Sequence, residues 1–194
     1  RNIVPDTVRS LSLIPFARLF NLVFPDECRV CDHPLTSLSR VPVCERCLSL
    51  PKPLLAEYFC ASCHTPFLNA FPLDSAGLCA LCRQGLTGYD SAFAFGSYEG
   101  VLRELIHLFK YARVRPLASP FGEMLGRAIP RHLRFDAVTP VPLHWIKRWR
   151  RGFNQSELLA REVARRMGVP VLDALCRARP TGSQAGLTRA QRRK

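Results

Sequence analysis

Eight of the nine cysteines in this chain form four pairs with two residues between members: Cys28 and Cys31, Cys44 and Cys47, Cys60 and Cys63, Cys79 and Cys82. Twelve residues separate the first two pairs and 15 the last two. A CxxC turn aims two thiolates at one centre. Two such turns a dozen or more residues apart complete a tetrahedral site with Zn–S distances of about 2.3 Å. A redox CxxC occurs singly, on the strand-to-helix turn of a thioredoxin-like unit, and nothing here supplies that context. Disulfides demand an oxidising compartment, and no secretion signal is visible. The spacing therefore predicts two zinc ions, each closed by four sulfurs with no position left for water, and so structural rather than catalytic. Pairing along the sequence would join Cys28, Cys31, Cys44 and Cys47 at one ion and Cys60, Cys63, Cys79 and Cys82 at the other. Spacing alone leaves open an interleaved set joining the first pair to the third. Metal binding would supply folding energy to a segment too short to build its own core. His33 and His64 read as exposed loop residues beside a complete thiolate set. Cys176 reads as a small buried apolar residue.

The rest of the chain has the composition of a folding protein. Its 194 residues are 47% hydrophobic and 22% charged, enough for one ordinary domain and a small one. The net charge of +13 is unevenly placed. Residues 1–100 hold 8 Lys/Arg against 9 Asp/Glu, whereas residues 101–194 hold 20 against 6. A field of that size favours polyanions: nucleic acid, a pyrophosphate-bearing metabolite or an anionic surface. The most apolar stretch, 11–24, is broken by Pro15, Arg18 and Asn21. It falls short of the roughly 20 apolar residues of a membrane span, and no small-residue cleavage site follows it. A start at Arg1 and a close in the charged run 191–194 read as a fragment of a longer protein.

Three segments are expected: an N-terminal helix in 1–27, a double zinc ribbon in 28–88, and an α/β domain with a parallel sheet in 89–194. Phe16, Leu19, Phe20 and Val23 follow helical spacing over 16–24. Residues 92–98 alternate as a strand does, and Val101, Leu102, Leu105, Ile106, Phe109 and Ala112 share a helix face. A helix over 121–129 is bounded by Pro120 and Pro130. Residues 135–141 read as a buried strand and 169–172 as the next. Asn154, with Glu157 three residues on, caps a helix that Gly168 ends.

Strand, basic loop and helix in that order place a ligand beyond the carboxyl end of the strand, where a helix N-terminus favours phosphate. The loop 142–155 carries Lys147, Arg148, Arg150 and Arg151, with Gly152 permitting close backbone approach and two tryptophans, Trp145 and Trp149. A second basic cluster, 177–194, contains Arg177, Arg179 and Gln184 among glycines and few apolar residues. It reads as a mobile loop able to close over an anion.

Four CxxC pairs, Tyr98-Glu-Gly, Phe109-Lys-Tyr111, Val141-Pro-Leu143, Arg151-Gly-Phe-Asn-Gln155 and Arg177-x-Arg-x-x-x-x-Gln184-x-x-Leu187 together resemble the ComF/GntX family over nearly the whole chain. The resemblance implies a double zinc ribbon joined to a type I phosphoribosyltransferase-like domain, in the bacterial cytoplasm. It also implies a role in DNA uptake, natural transformation or the use of DNA as nutrient, with partners in the uptake machinery. The ligand implied is phosphoribosyl pyrophosphate or another polyphosphate, with magnesium. Arg148, Arg151, Gly152, Asn154, Gln155 and Gln184 would bind the pyrophosphate, and Arg177 and Arg179 would stabilise it as it departs. The adjacent acidic pair and the Thr-Thr-Gly loop of such enzymes are not found after Glu27. The chain as it stands is therefore expected not to bind phosphoribosyl pyrophosphate productively. The alternative is a non-catalytic scaffold that docks a partner or binds single-stranded DNA through Lys147, Trp149 and Arg150, with Trp145 or Phe153 also stacking.

Overall fold

The computed structural model describes residues 27–35, 39–85 and 88–178, apart from the side chains of Arg150 and Arg151. The helix expected over 16–24 lies outside the described residues. Contacts divide the chain into two units, Arg1–Leu50 and Pro51–Lys194.

The first unit is built around one pair of CxxC turns. Cys28 and Asp32 close the first, with the Asp32 N–H donating to the Cys28 carbonyl (2.8 Å) and Asp32 in the left-handed region at φ 56°. The second sits on α1, Glu45–Ser49, which Cys44 caps through its own sulfur, accepting from the Cys47 N–H. Leu35 and Val43 are the apolar residues buried beside these turns.

The second unit repeats that plan before its helices begin. The hairpin β1 (Tyr58–Phe59) and β2 (Pro66–Phe67) brackets a turn in which the His64 N–H donates to the Cys60 carbonyl (2.9 Å), with His64 at φ 51°. Cys79 then precedes α2, Ala80–Arg83. Between them Asp74 accepts from the Ala76 and Leu78 N–H groups, folding the connection back so that Leu73 bridges to Cys79. Phe67, Leu73 and Leu78 pack on the buried sulfurs.

Beyond the ribbon the fold is mainly helical. Helix α3 (Gly100–Lys110) buries Leu105 and Phe109 at helical spacing. A short 3₁₀ turn, Arg115–Leu117, leads into α4, Ala118–Ala128. The helix begins before Pro120 rather than after it, because an N–H in the first turn has no intrahelical acceptor to lose. Helix α5 spans Trp145–Arg151 and α6 spans Gln155–Met167. The packing of α4 on α6 is the main helix contact, and Gly122 and Gly126 let the two approach closely. Phe109 stands edge-on to Phe121 (5.4 Å) and tilted to Phe153 (6.2 Å), joining α3, α4 and the entry to α6 in one core with the fully buried Leu105 and Leu117.

Several expectations change here. Residues 92–98 form no strand, because their backbone meets neighbours only singly: Leu54 donates to Phe95 and Ala92 to Cys63. The expected loop 142–155 is largely helix. Cys176 is exposed rather than buried. Sheet structure among the described residues consists of the hairpin and three isolated bridges, of which Val138 with Val171 is parallel. The helix caps stand as expected, with Asn154 accepting from the Ser156 N–H and Gly168 left-handed at φ 69°. No helix among the described residues is long and apolar enough to cross a membrane.

Candidate functional site

The eight paired thiols gather into two sets, Cys28, Cys31, Cys44 and Cys47, and Cys60, Cys63, Cys79 and Cys82, with the sulfurs of each set within 4.8 Å of one another. Pairing therefore runs along the sequence. A tetrahedron with sulfur about 2.3 Å from its centre has edges of about 3.8 Å. The Cys31–Cys44 and Cys63–Cys79 sulfurs lie 3.8 Å apart and the Cys60–Cys82 sulfurs 3.6 Å apart, far beyond disulfide length. Backbone N–H groups converge on the sulfurs in the same way in both sets: Cys44 donates to Cys28 and Cys79 to Cys60, each at 3.3 Å. Burial pushes the Cys28 and Cys60 thiols up, but backbone hydrogen bonds, from Cys44, Val30 and Cys31 at Cys28 and from Cys63, Cys79 and Ser62 at Cys60, outweigh it and hold both down at about 6. Burial and the neighbouring sulfurs raise Cys47, and the same causes push Cys82 up to about 12. Four thiols so close cannot all ionise without a cation, and a soft divalent ion of tetrahedral habit fits this donor set. Each set could hold one zinc. His33 and His64 are exposed and belong to neither set.

The second group of candidates lies on α5, α6 and the turn between them. His144 caps α5, its Nδ1 accepting from the Ile146 N–H (3.4 Å), and Gly152 ends the helix at φ 76° with its N–H on the Arg148 carbonyl. Left-handed geometry here favours glycine. Trp145 and Trp149, one helical turn apart, are 71% and 82% exposed. Past the turn, Phe153, Asn154 and Gln155 are buried. Asn154 Nδ2 donates to the Val141 carbonyl (3.1 Å) and Ser156 Oγ accepts from the Val141 N–H (2.9 Å). Together they pair Val141 as a neighbouring strand would. Gln155 donates to the Lys110 carbonyl. Arg148 and Arg161 both pair with Glu157, at 3.2 and 2.7 Å.

No family model and no solved structure matches the chain. Curated relatives do. Competence protein F of Haemophilus influenzae is 30% identical over 59% of this chain and 53% of its own length. The DNA utilization proteins YhgH of Escherichia coli K12 and Salmonella typhimurium are 27% and 26% identical, over 89% of this chain and 76% of their own. The chain is similar to proteins named for competence and DNA utilization, in keeping with the ComF resemblance of its motifs. It spans about half the length of Competence protein F and about three quarters of YhgH.

Set against the roles that ComF resemblance implied, Gly152, Asn154 and Gln155 have structural duties: a helix stop, a clamp on the Val141 carbonyl and a tie to α3. Arg148 is exposed but engaged by Glu157. Lys147 and Trp149 lie on α5 with Arg150 and Arg151, whose side chains are outside the described residues. Arg177 is half-buried in the coil after the Val171 bridge, and Arg179 and Gln184 are outside the described residues. One cation escaped sequence reading. Arg115 lies over the Phe153 ring (4.9 Å) and donates to the Gly152 carbonyl (3.0 Å), bracing the turn between α5 and α6. No periodicity or motif marks it, because its partners are 37 and 38 residues away.

Proposed function

We propose that this chain acts in competence-related DNA uptake or DNA utilization, and that it binds single-stranded DNA through the tryptophan-bearing face of α5. The observation that carries the reading is the Trp145 and Trp149 pair, bare to solvent on a helix that also bears Lys147, Arg148, Arg150 and Arg151. Buried tryptophans would stabilise a core; exposed ones a turn apart do so only when something covers them. Stacking on such rings contributes about 1–3 kcal/mol per base, and cations alongside hold the backbone. The names of its relatives concern competence and DNA utilization. Fluorescence anisotropy with a single-stranded oligothymidylate tests it. Trp149→Ala should weaken binding by about thirtyfold, the middle of that stacking range. Affinity should fall steeply with salt. Binding unchanged by the substitution, or indifferent to salt, would defeat the reading.

A phosphoribosyltransferase-like domain over 89–194 is the second part of the proposal. The parallel bridge of Val138 with Val171, on either side of α6, supports it, since parallel pairing with a helical crossover is the unit of such sheets. The N-terminus of α6 follows the first of these segments, which favours phosphate there. For Arg148 to reach a pyrophosphate it would leave Glu157, with Arg151, Arg177, Arg179 and Gln184 completing the site. Calorimetry with phosphoribosyl pyrophosphate and magnesium is the test: productive binding is expected only where the acidic pair and Thr-Thr-Gly loop are also present, with the heat lost in Arg148→Ala, and tight binding by residues 1–194 alone would contradict the reading. The zinc ribbons, in this reading, are the structural part of the protein and a docking face for uptake partners.

A further inference from the structure

A cleft of about 490 Å³ opens where the C-terminal ends of α4 and α6 meet the connecting segment 129–135. Arg127, Arg131, Arg134 and Arg166 line it, with Phe135 and Met167 among its apolar walls. It is distinct from the α5 face. The cleft lies at the far end of α6, about 20 Å along the axis for 13 residues.

Two of the arginines have ordinary structural reasons to be there. Arg127 holds Glu123 and Arg166 holds Glu162, and both occupy last turns, where the helix dipole favours cations. Arg166 is fixed further by donating to the Ser119 carbonyl (3.2 Å), its stem lying over Gly126. Arg131 and Arg134 have no such reason. They lie beyond α4, both exposed, and among the described residues neither meets a carboxylate or a hydrogen-bond acceptor. Glu123, the acidic residue among the described walls, is already neutralised. The result is a concave surface with two unspent guanidinium groups beside two fixed ones. The Phe135 ring, 40% exposed, shares it. Guanidinium forks match phosphate oxygens, and an exposed ring beside them matches a base face.

We propose that this arginine-lined cleft is a second binding site for single-stranded DNA, with Arg131 and Arg134 on backbone phosphates and Phe135 against a base. It rests on the DNA-binding reading of α5 and extends that contact to the opposite end of α6. An acidic peptide would need no flat ring, and a free nucleotide would need no second site.

The test is the salt dependence of oligothymidylate binding by the intact chain. Each phosphate contact on a single strand contributes a slope of about −0.7 in log affinity against log salt, so Arg131→Ala with Arg134→Ala should flatten it by about 1.4. Both residues are exposed and without a partner among the described residues, so circular dichroism should be unchanged. Arg131→Lys with Arg134→Lys should keep the slope, and Trp149→Ala should lower affinity while leaving the slope in place. Losses from the two sites should add, since they lie well beyond the range of coupling. If the parent binds and the double alanine variant keeps its slope, or loses only pyrophosphate binding, this site is overturned while the α5 reading stands. If the parent does not bind, both fall.

Discussion

A Cβ built on Gly122 would lie 2.4 Å from the Glu162 Cβ, a distance no relaxed structure holds, and both atoms belong to well-packed helices. The contact is between the stiff roots of two side chains, so the helices themselves would have to part. Gly122→Ala should therefore destabilise the chain by about 1–3 kcal/mol, the usual cost of overpacking, as read by urea denaturation. Gly88→Ala, with nothing near its Cβ, is the control and should stay within about 0.5 kcal/mol. Glu162 also carries a charge argument. Hydrogen bonds from Arg165, then Arg166, hold its carboxyl below the usual range. A carboxylate so depressed contributes stability that is present above its unfolded pKa of about 4.3 and lost as pH falls through the folded value. Glu162→Gln should then be less stable than the parent at neutral pH and converge on it as pH falls through that lowered value.

At the scale of elements, the turn between α5 and α6 is the joint on which both halves of the proposed site depend. Asn154 serves it twice, capping α6 and holding the Val141 carbonyl. Asn154→Ala should cost about 1–2 kcal/mol, more than a surface cap, because a partly buried carbonyl also loses its donor. Thermal melts would read it. Trp145 and Trp149 bear on no such joint, so replacing either should leave the melting temperature in place. Glu157, three residues past the cap, turns to Arg148 and Arg161 instead of back to the cap. Two cations near a carboxylate compete better than one backbone N–H, which is why a correct cap reading at Asn154 did not extend to its partner.

Across the whole molecule, the same sulfur-centred plan occurs once in each unit: a CxxC turn followed by a left-handed residue, then a CxxC pair at a helix start. Two zinc ions per chain are expected by elemental analysis. Cys47→Ala and Cys63→Ala should each lose one of them, since a set of three thiolates binds far more weakly than four. Loss of both from the parent, with its thiols oxidised to one another, would refute the metal assignment. The gathering of the eight paired thiols, the caps at Asn154 and Gly168, and the face of α3 were legible in the chain because each is a local pattern, set by spacing within a few residues or by the geometry of a turn. What the pattern could not decide was which sulfurs share a centre, that 145–151 within the expected loop folds as helix, or that residues 92–98 lack a strand partner. Nor could it supply Arg115 over Phe153, the depth of Gly122 against Glu162, or the meeting of Arg131 and Arg134 with Arg127 and Arg166. Those depend on groups far apart in sequence, and only packing brings them within the few ångströms over which contact, charge and hydrogen bonding act.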